Sequence, residues 1–211
     1  MKFIADSDRN PFGMTPPCDR YVPGYGASDA HFHVVGDHPG VHGGLSTGIP
    51  FTDRPWSAAF FDALARAEFV RDVDLDSGRL VPGRTFFSYL HMCAVEETPS
   101  EADYDRLEPF FDAELRAITA HVLLPVGPRA TEHVLRTFTA ESTAGIDMDA
   151  RHGTRIQGAG WLVVPIMDPA EWGADGADRL VEALRALQES DYRQLSDLGR
   201  LADSDGSYFV R

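Results

Sequence analysis

Lysine is almost missing from this chain: Lys2 is the only one among nineteen basic residues, in a sequence of 211. Against them stand 33 acidic residues, Asp outnumbering Glu two to one, for a formal net charge of -14. Such a balance excludes a broad basic surface for a polyanion, because affinity for nucleic acid rests largely on Lys and Arg neutralising phosphates. The composition is that of high-salt adaptation, and in molar salt an acidic coat can serve solvation while one local patch meets DNA. Charge alone therefore leaves DNA open as a partner.

Cysteine is nearly as scarce. Cys18 and Cys93 lie far apart and neither forms a CxxC pair, so no disulfide framework is expected and a reducing compartment suits them. No apolar run approaches the roughly 20 residues that span a bilayer, and Met1 to Asp6 turns acidic too soon for a secretory signal. A soluble, cytoplasmic protein with no membrane partner is the expectation. The glycines fit neither GxGxxG nor a Walker loop with its lysine, so no nucleotide cofactor is expected.

What the chain does have is a 43% hydrophobic content, enough for one well-buried domain at this length. Residues 1–29, rich in Pro, Gly and Asp without sustained period, read as an irregular arm, and 30–211 as a single domain. Strands are predicted at His31 to Val35, Arg84 to Leu90, His121 to Val126 and Gly160 to Ile166. Helices are predicted at Pro55 to Arg71, from Ser100 through Ile118 with Asp103 completing a capping box, at Arg129 to Phe138, and at Asp178 to Glu189. Their alternation implies right-handed crossovers and a three-layer α/β/α sandwich around a four-stranded parallel sheet. The polar stretch Ala140 to Ala159 reads as a mobile loop.

Four of the eight histidines crowd into "AHFHVVGDHPGVHGG", Ala30 to Gly44. His31 and His33 form an HxH pair that could share a metal ion from one strand face, but no downstream ligands follow in a recognisable pattern. The plainer reading puts both rings, half solvated, at the open start of a strand, and His38 and His42 on a turn. "GDHPG" differs, because it follows directly on a buried strand. In open parallel sheets ligands bind at the strand carboxyl ends, where glycines let the backbone approach closely.

"VVGDHPG" followed by "TGIPFTDRPWSAAFFDAL" resembles the first catalytic segment of the uracil-DNA glycosylase superfamily, nearest its iron–sulfur (family 4) branch, whose pattern runs Gly-Glu-x-Pro-Gly and then Gly-x-Pro-Phe. The likeness continues through Phe86 to Gly127 and returns at "LVVPIMDPAEW", together covering most of residues 15 to 200. It implies a DNA base-excision enzyme that flips a base from DNA, single- or double-stranded, and hydrolyses its N-glycosidic bond. Asp37 takes the branch's acidic position, and His38 falls where another branch carries its water-orienting Asp. Phe51 matches the stacking aromatic, and the amides from Gly36 through Pro39 to Gly40 could meet base or phosphate. The region of Pro169 and Trp172 corresponds to the minor-groove probe, Trp172 being either an apolar wedge or a cap on the domain edge. Arg129, Arg151 and Arg155 could hold phosphates or pair with surface carboxylates.

Other positions depart from the pattern. Tyr89 stands where an Asn reads the uracil edge, and Asp168 where a His donates to the departing base; a carboxylate cannot donate. Of the four cluster cysteines only Cys18 and Cys93 remain, with Thr15 and Leu107 at the partner positions, so no iron–sulfur centre or other metal is expected. Two readings stay open: a monomeric glycosylase for uracil or another damaged base, with Asp37, His38 and Asp168 as catalytic candidates and Phe51 and Tyr89 binding substrate, or a homologue that binds DNA or a nucleobase without excising uracil.

Overall fold

A computed structural model describes residues 8–75 and 78–196. Lys2 and both chain ends lie outside them. The central sheet has six strands in the order β1 (Tyr25–Gly26), β5 (Thr85–Tyr89), β2 (Phe32–Gly36), β6 (Val122–Pro125), β8 (Leu162–Val163), β7 (Ile156–Gln157). Four of these, β5, β2, β6 and β8, run parallel as predicted. The prediction of four strands in all is corrected at the edges. There, β1 and β7 pair antiparallel, each too short to carry a period. A hairpin of β3 (Asp72–Asp74) and β4 (Arg79–Val81) stands apart from the sheet.

Every residue of β2, β5 and β6 is buried, which explains their near-continuous apolar runs: a parallel sheet is covered on both faces. Alternation along β2 sorts the layers. Phe32 and Val34 join one core with α2 (Ser57–Arg66) and α6 (Gly176–Gln188). His33 packs on Phe86 and Phe111, and Val35 joins a second core with α3 (Glu101–Ile118) and α4 (Gly127–Phe138).

The predicted capping box starts α3, with the Ser100 amide donating to Asp103 Oδ2 at 2.9 Å. By contrast α2 stops at Arg66, five residues before the apolar pattern does. Glu68 adopts a left-handed φ of 61°, and the Phe69 amide bonds back to the Leu64 carbonyl at 2.9 Å, a Schellman-type closure. Phe69 and Val70 remain in the core beyond the turn, so burial outlasts the helix. Ala140 to Ala159 is no featureless loop: it holds α5 (Met148–Arg151), capped by Asp147, and β7.

Cys18 and Cys93 are joined in a disulfide, Cα to Cα 6.1 Å, against the expectation of free thiols. The arm folds across the end of β5, with the Val22 amide on the Met92 carbonyl at 2.9 Å and the Ala94 amide on the Arg20 carbonyl at 2.8 Å, which brings the two thiols together. His33 is likewise not half solvated but fully buried, because β2 is central.

Candidate functional site

Beyond β2 the chain cannot continue straight. Pro39 sets the first turn of a short helix, α1 (Pro39–His42), and His38 caps it, its Nδ1 accepting the Gly40 amide at 3.1 Å. One turn of helix carries His42 back beneath Gly36 and Asp37. Gly36 permits this: a Cβ there would sit 2.7 Å from the Tyr89 ring and 2.8 Å from His42 Nδ1. His42, expected on a turn, is 1% exposed and stands at the centre of the site.

Its ring lies 5.3 Å from Phe51 at an interplanar angle of 31° and 6.2 Å from Tyr89 at 26°. The Asp37 amide donates to Nδ1 at 3.0 Å, which places the ring proton on Nε2, 3.5 Å from Asp168 Oδ2. Gly127, the first residue of α4, is at φ 79°, and a Cβ on it would meet His42 at 3.7 Å and Asp168 at 3.8 Å. The group thus sits at the carboxyl ends of β2, β5, β6 and β8, where a doubly covered parallel sheet places its ligands.

Tyr89 ends β5 as a fully buried brace. Its hydroxyl accepts the Phe51 amide at 2.7 Å and donates to the Gly43 carbonyl at 3.1 Å. Burial pushes its phenol far up, so it keeps the proton it donates. The Phe51 ring is fully buried on a backbone at φ 66°, against Phe60, Phe87 and Tyr89. Burial favours the neutral acid at Asp168, but the His42 ring and the Ala170 amide, 2.9 Å from Oδ1, outweigh it and hold the carboxyl below its ordinary range. The carboxylate is ionised and turned onto His42.

Asp37 is half-buried at the rim. Its Oδ1 accepts the Tyr104 hydroxyl from α3, and its carbonyl accepts the His91 amide at 3.0 Å. The Arg129 guanidinium lies over the Tyr104 ring at 4.0 Å and pairs with Glu101 at 2.8 Å. Arg54 donates to the carbonyls of Pro39 and Gly40, fastening α1 to the loop after Phe51.

Of the residues singled out from sequence, Gly36, Asp37, Phe51, Tyr89 and Asp168 come together around His42. The His38 ring turns instead to its own helix and to His91, 6.5 Å away. Pro39 is buried and Gly40 exposed within α1; Pro169 is buried in the turn after Asp168. Trp172 is half-buried: its indole donates to the Met167 carbonyl at 2.9 Å and packs on Phe60 and His152. Among the described residues the exposed large apolar side chains are Val41 and Leu45, flanking His42 to Gly44. Arg151 pairs with Glu141, while Arg155 is exposed. His42, Tyr104 and Arg54 were missed; the signal for His42 was Pro39, which starts a helical turn and sets His42 four residues after His38.

Among the described residues Phe51, Tyr89 and His42 pack ring against ring, none more than 1% exposed. A cavity of about 320 Å³ lies to one side between α3 and α4, lined by Leu90, Tyr104, Phe111 and Arg129 among others. A second, of about 460 Å³, lies over the disulfide, lined by His91, Arg106 and Leu107 among others. His31 and His33 do not converge: His31 Nδ1 meets the Tyr192 hydroxyl at 2.8 Å, and His33 Nε2 meets Ser88 Oγ at 2.8 Å. Among the described residues no three His, Cys, Asp or Glu side chains could hold a metal ion. The donor set does not fit an iron–sulfur cluster either, since Cys18 and Cys93 are bonded to each other beside an apolar Leu107.

Comparison with known proteins agrees with this geometry. The family model of the uracil DNA glycosylase superfamily matches residues 23–188. A type-5 uracil-DNA glycosylase of Mycobacterium leprae is 27% identical over 138 residues, 63% of this chain and 60% of that protein. Type-5 uracil-DNA glycosylases of Mycobacterium bovis and Mycobacterium tuberculosis are each 28% identical over 167 residues, 74% of this chain and 62% of theirs. The match thus spans less than two thirds of the length of these curated relatives. With a strand-end loop, a following aromatic and a parallel sheet in the matching order, the chain belongs to the uracil DNA glycosylase superfamily.

Proposed function

We propose that this chain is a DNA base-excision protein of the glycosylase type, hydrolysing the N-glycosidic bond of uracil or another damaged base at the carboxyl face of its sheet. The observation that carries the reading is Asp37: a half-buried carboxylate at the end of β2, fixed by Tyr104 and by the His91 amide, on the rim of an aromatic slot. Glycosidic cleavage needs negative charge near C1′, where an oxocarbenium ion develops, and a water aimed at the same carbon. With Oδ1 held by Tyr104, Asp37 Oδ2 orients that water. The water oxygen bonds to C1′, the C1′–N bond breaks, its electron pair leaves with the base as an anion, and the water's proton passes to Asp37 and from it to solvent, which reprotonates the released base. Val41 and Leu45, the exposed apolar side chains beside the site, suit contact with unstacked bases better than the anchored Trp172.

The test is incubation with single- and double-stranded oligonucleotides carrying uracil, hypoxanthine or other lesions, in molar potassium chloride, scored for abasic sites. Asp37→Ala is expected to slow release by about 10²–10⁴-fold, the usual weight of a positioned acid or base. Release unchanged in Asp37→Ala removes the assignment. A second reading, a homologue that binds DNA or a nucleobase without excising uracil, is favoured by the closed slot, in which Phe51 and Tyr89 are fully buried. DNA binding with no release from any lesion would establish it. A monomer in a saline cytoplasm completes the proposal; the disulfide is the one feature that pulls against a reducing compartment.

A further inference from the structure

We propose that the imidazole of His42 is an internal occupant of the nucleobase slot, and that His42, backed by Tyr89, decides which bases the site accepts. The proposal rests on the base-excision reading of this face.

A pocket for a flipped base has a few physical requirements: an aromatic face to stack on, a donor or acceptor for each polar atom of the ring edge, and backbone close enough to reach that edge. His42 meets the first and the last of them, and the second at Nδ1, while its buried Nε2 faces a carboxylate without a hydrogen bond. Its ring packs on Phe51 with a tilt of 31° and stacks near-parallel to Tyr89 at 26°. The Asp37 backbone amide reads one ring nitrogen at 3.0 Å, and the Asp168 carboxylate faces the other at 3.5 Å. Gly36 and Gly127, which have no Cβ, let the backbone close on the ring from the ends of β2 and β6.

The fit is chemical as well as geometric. A donor on one side and an acceptor on the other match an imidazole with a bare Nδ1 and a protonated Nε2. Asp168 as a carboxylate offers no proton to a carbonyl oxygen, so the slot is complementary to the ring it holds and not to a departing uracil anion. Space is limiting too: with His42 at 1% exposure and Phe51 and Tyr89 fully buried, a six-membered ring with two exocyclic oxygens has no room unless the imidazole leaves. Tyr89 closes the back of the slot by bridging the Phe51 amide and the Gly43 carbonyl.

The experiment uses the full chain and two probes, free imidazole and free uracil, read by thermal shift and titration calorimetry. In the wild type neither probe raises the unfolding midpoint. In His42→Gly and His42→Ala both raise it, and uracil binds at least about tenfold more tightly than to the wild type, the scale of one base–aromatic stacking contact. Uracil binding to the wild type as tightly as to the variants overturns the proposal. So does a folded variant that neither probe stabilises. If the variants fold only when imidazole is present, the occupancy of the slot is supported; if imidazole does not restore folding, it is refuted. Lesion-DNA binding and base release by the wild type are scored separately, so failure of the base-excision reading is distinguishable from failure of the slot assignment.

Discussion

Glu114 and His33 are buried on the α3 side of the sheet, where ionisation is costly in opposite directions. Burial pushes the Glu114 carboxyl up to about 8, the Gly24 amide and Ser88 hydroxyl only partly opposing it, and burial pushes His33 down to about 3. Glu114 keeps a proton in the fold that the unfolded chain loses above its ordinary 4.5, so stability falls as pH rises from there to about 8. His33 stays neutral in the fold while the unfolded chain takes up a proton below 6.5, so stability falls as pH drops from there to about 3. Between 4.5 and 6.5 the two slopes cancel. Burial lowers His31, His38, His91, His133 and His152 as well, so chemical denaturation is expected to show stability falling as pH drops below 6.5 and falling as it rises from there towards 8, with Glu114→Gln flattening the alkaline limb. Tyr89→Phe removes a hydroxyl that satisfies two buried backbone groups, and is expected to cost about 1–3 kcal/mol in urea unfolding. At this scale the sequence was only partly legible. Asp37 stood out because its loop follows directly on a buried strand, and Phe51 and Asp168 because they match segments of the superfamily pattern; His42 was passed over because its placement depends on a single helical turn folding it under Gly36.

The four parallel strands and the long helices were legible because each carries a run or period long enough to read. The edge strands were not, since two residues have no period, and the early stop of α2 was hidden by the burial of Phe69 and Val70 past its end. The disulfide was out of reach for a different reason: Cys18 and Cys93 are 75 residues apart, and only the course of the arm across β5 makes them neighbours. Closing a loop of that length restricts the unfolded chain, and Cys18→Ser, or reduction by dithiothreitol, is expected to lower unfolding free energy by about 2–5 kcal/mol. Cys93 lies two residues beyond His91, whose amide holds the Asp37 carbonyl, so hydrogen exchange at the His91 amide should quicken in the same variant.

Over the whole molecule, a net charge of -14 means that the folded state repels itself. Most arginines with described partners spend their charge on neighbours: Arg66 on Asp178, Arg79 on Asp72, Arg129 on Glu101, Arg151 on Glu141 and Arg179 on Asp149. Exposed pairs of this kind add little individually, so screening of the net repulsion dominates the response to salt. Taking potassium chloride from about 0.1 to 1 M shortens the Debye length from about 10 to 3 Å, and the thermal midpoint is expected to rise over that range. A midpoint that falls would count against high-salt adaptation.

The two ends of the sheet carry a consequence for how the protein meets copies of itself. Tyr25–Gly26 and Ile156–Gln157 are the outermost strands, and beyond them single bridges, Arg9 to Tyr25 and Thr139 to Gly158, already take up part of the outward backbone. A neighbouring chain would find almost no ladder to extend. Near the sequence pI of about 4.8, where charge no longer keeps molecules apart, this chain should come out of solution as folded, reversible precipitate rather than as strand-templated fibres.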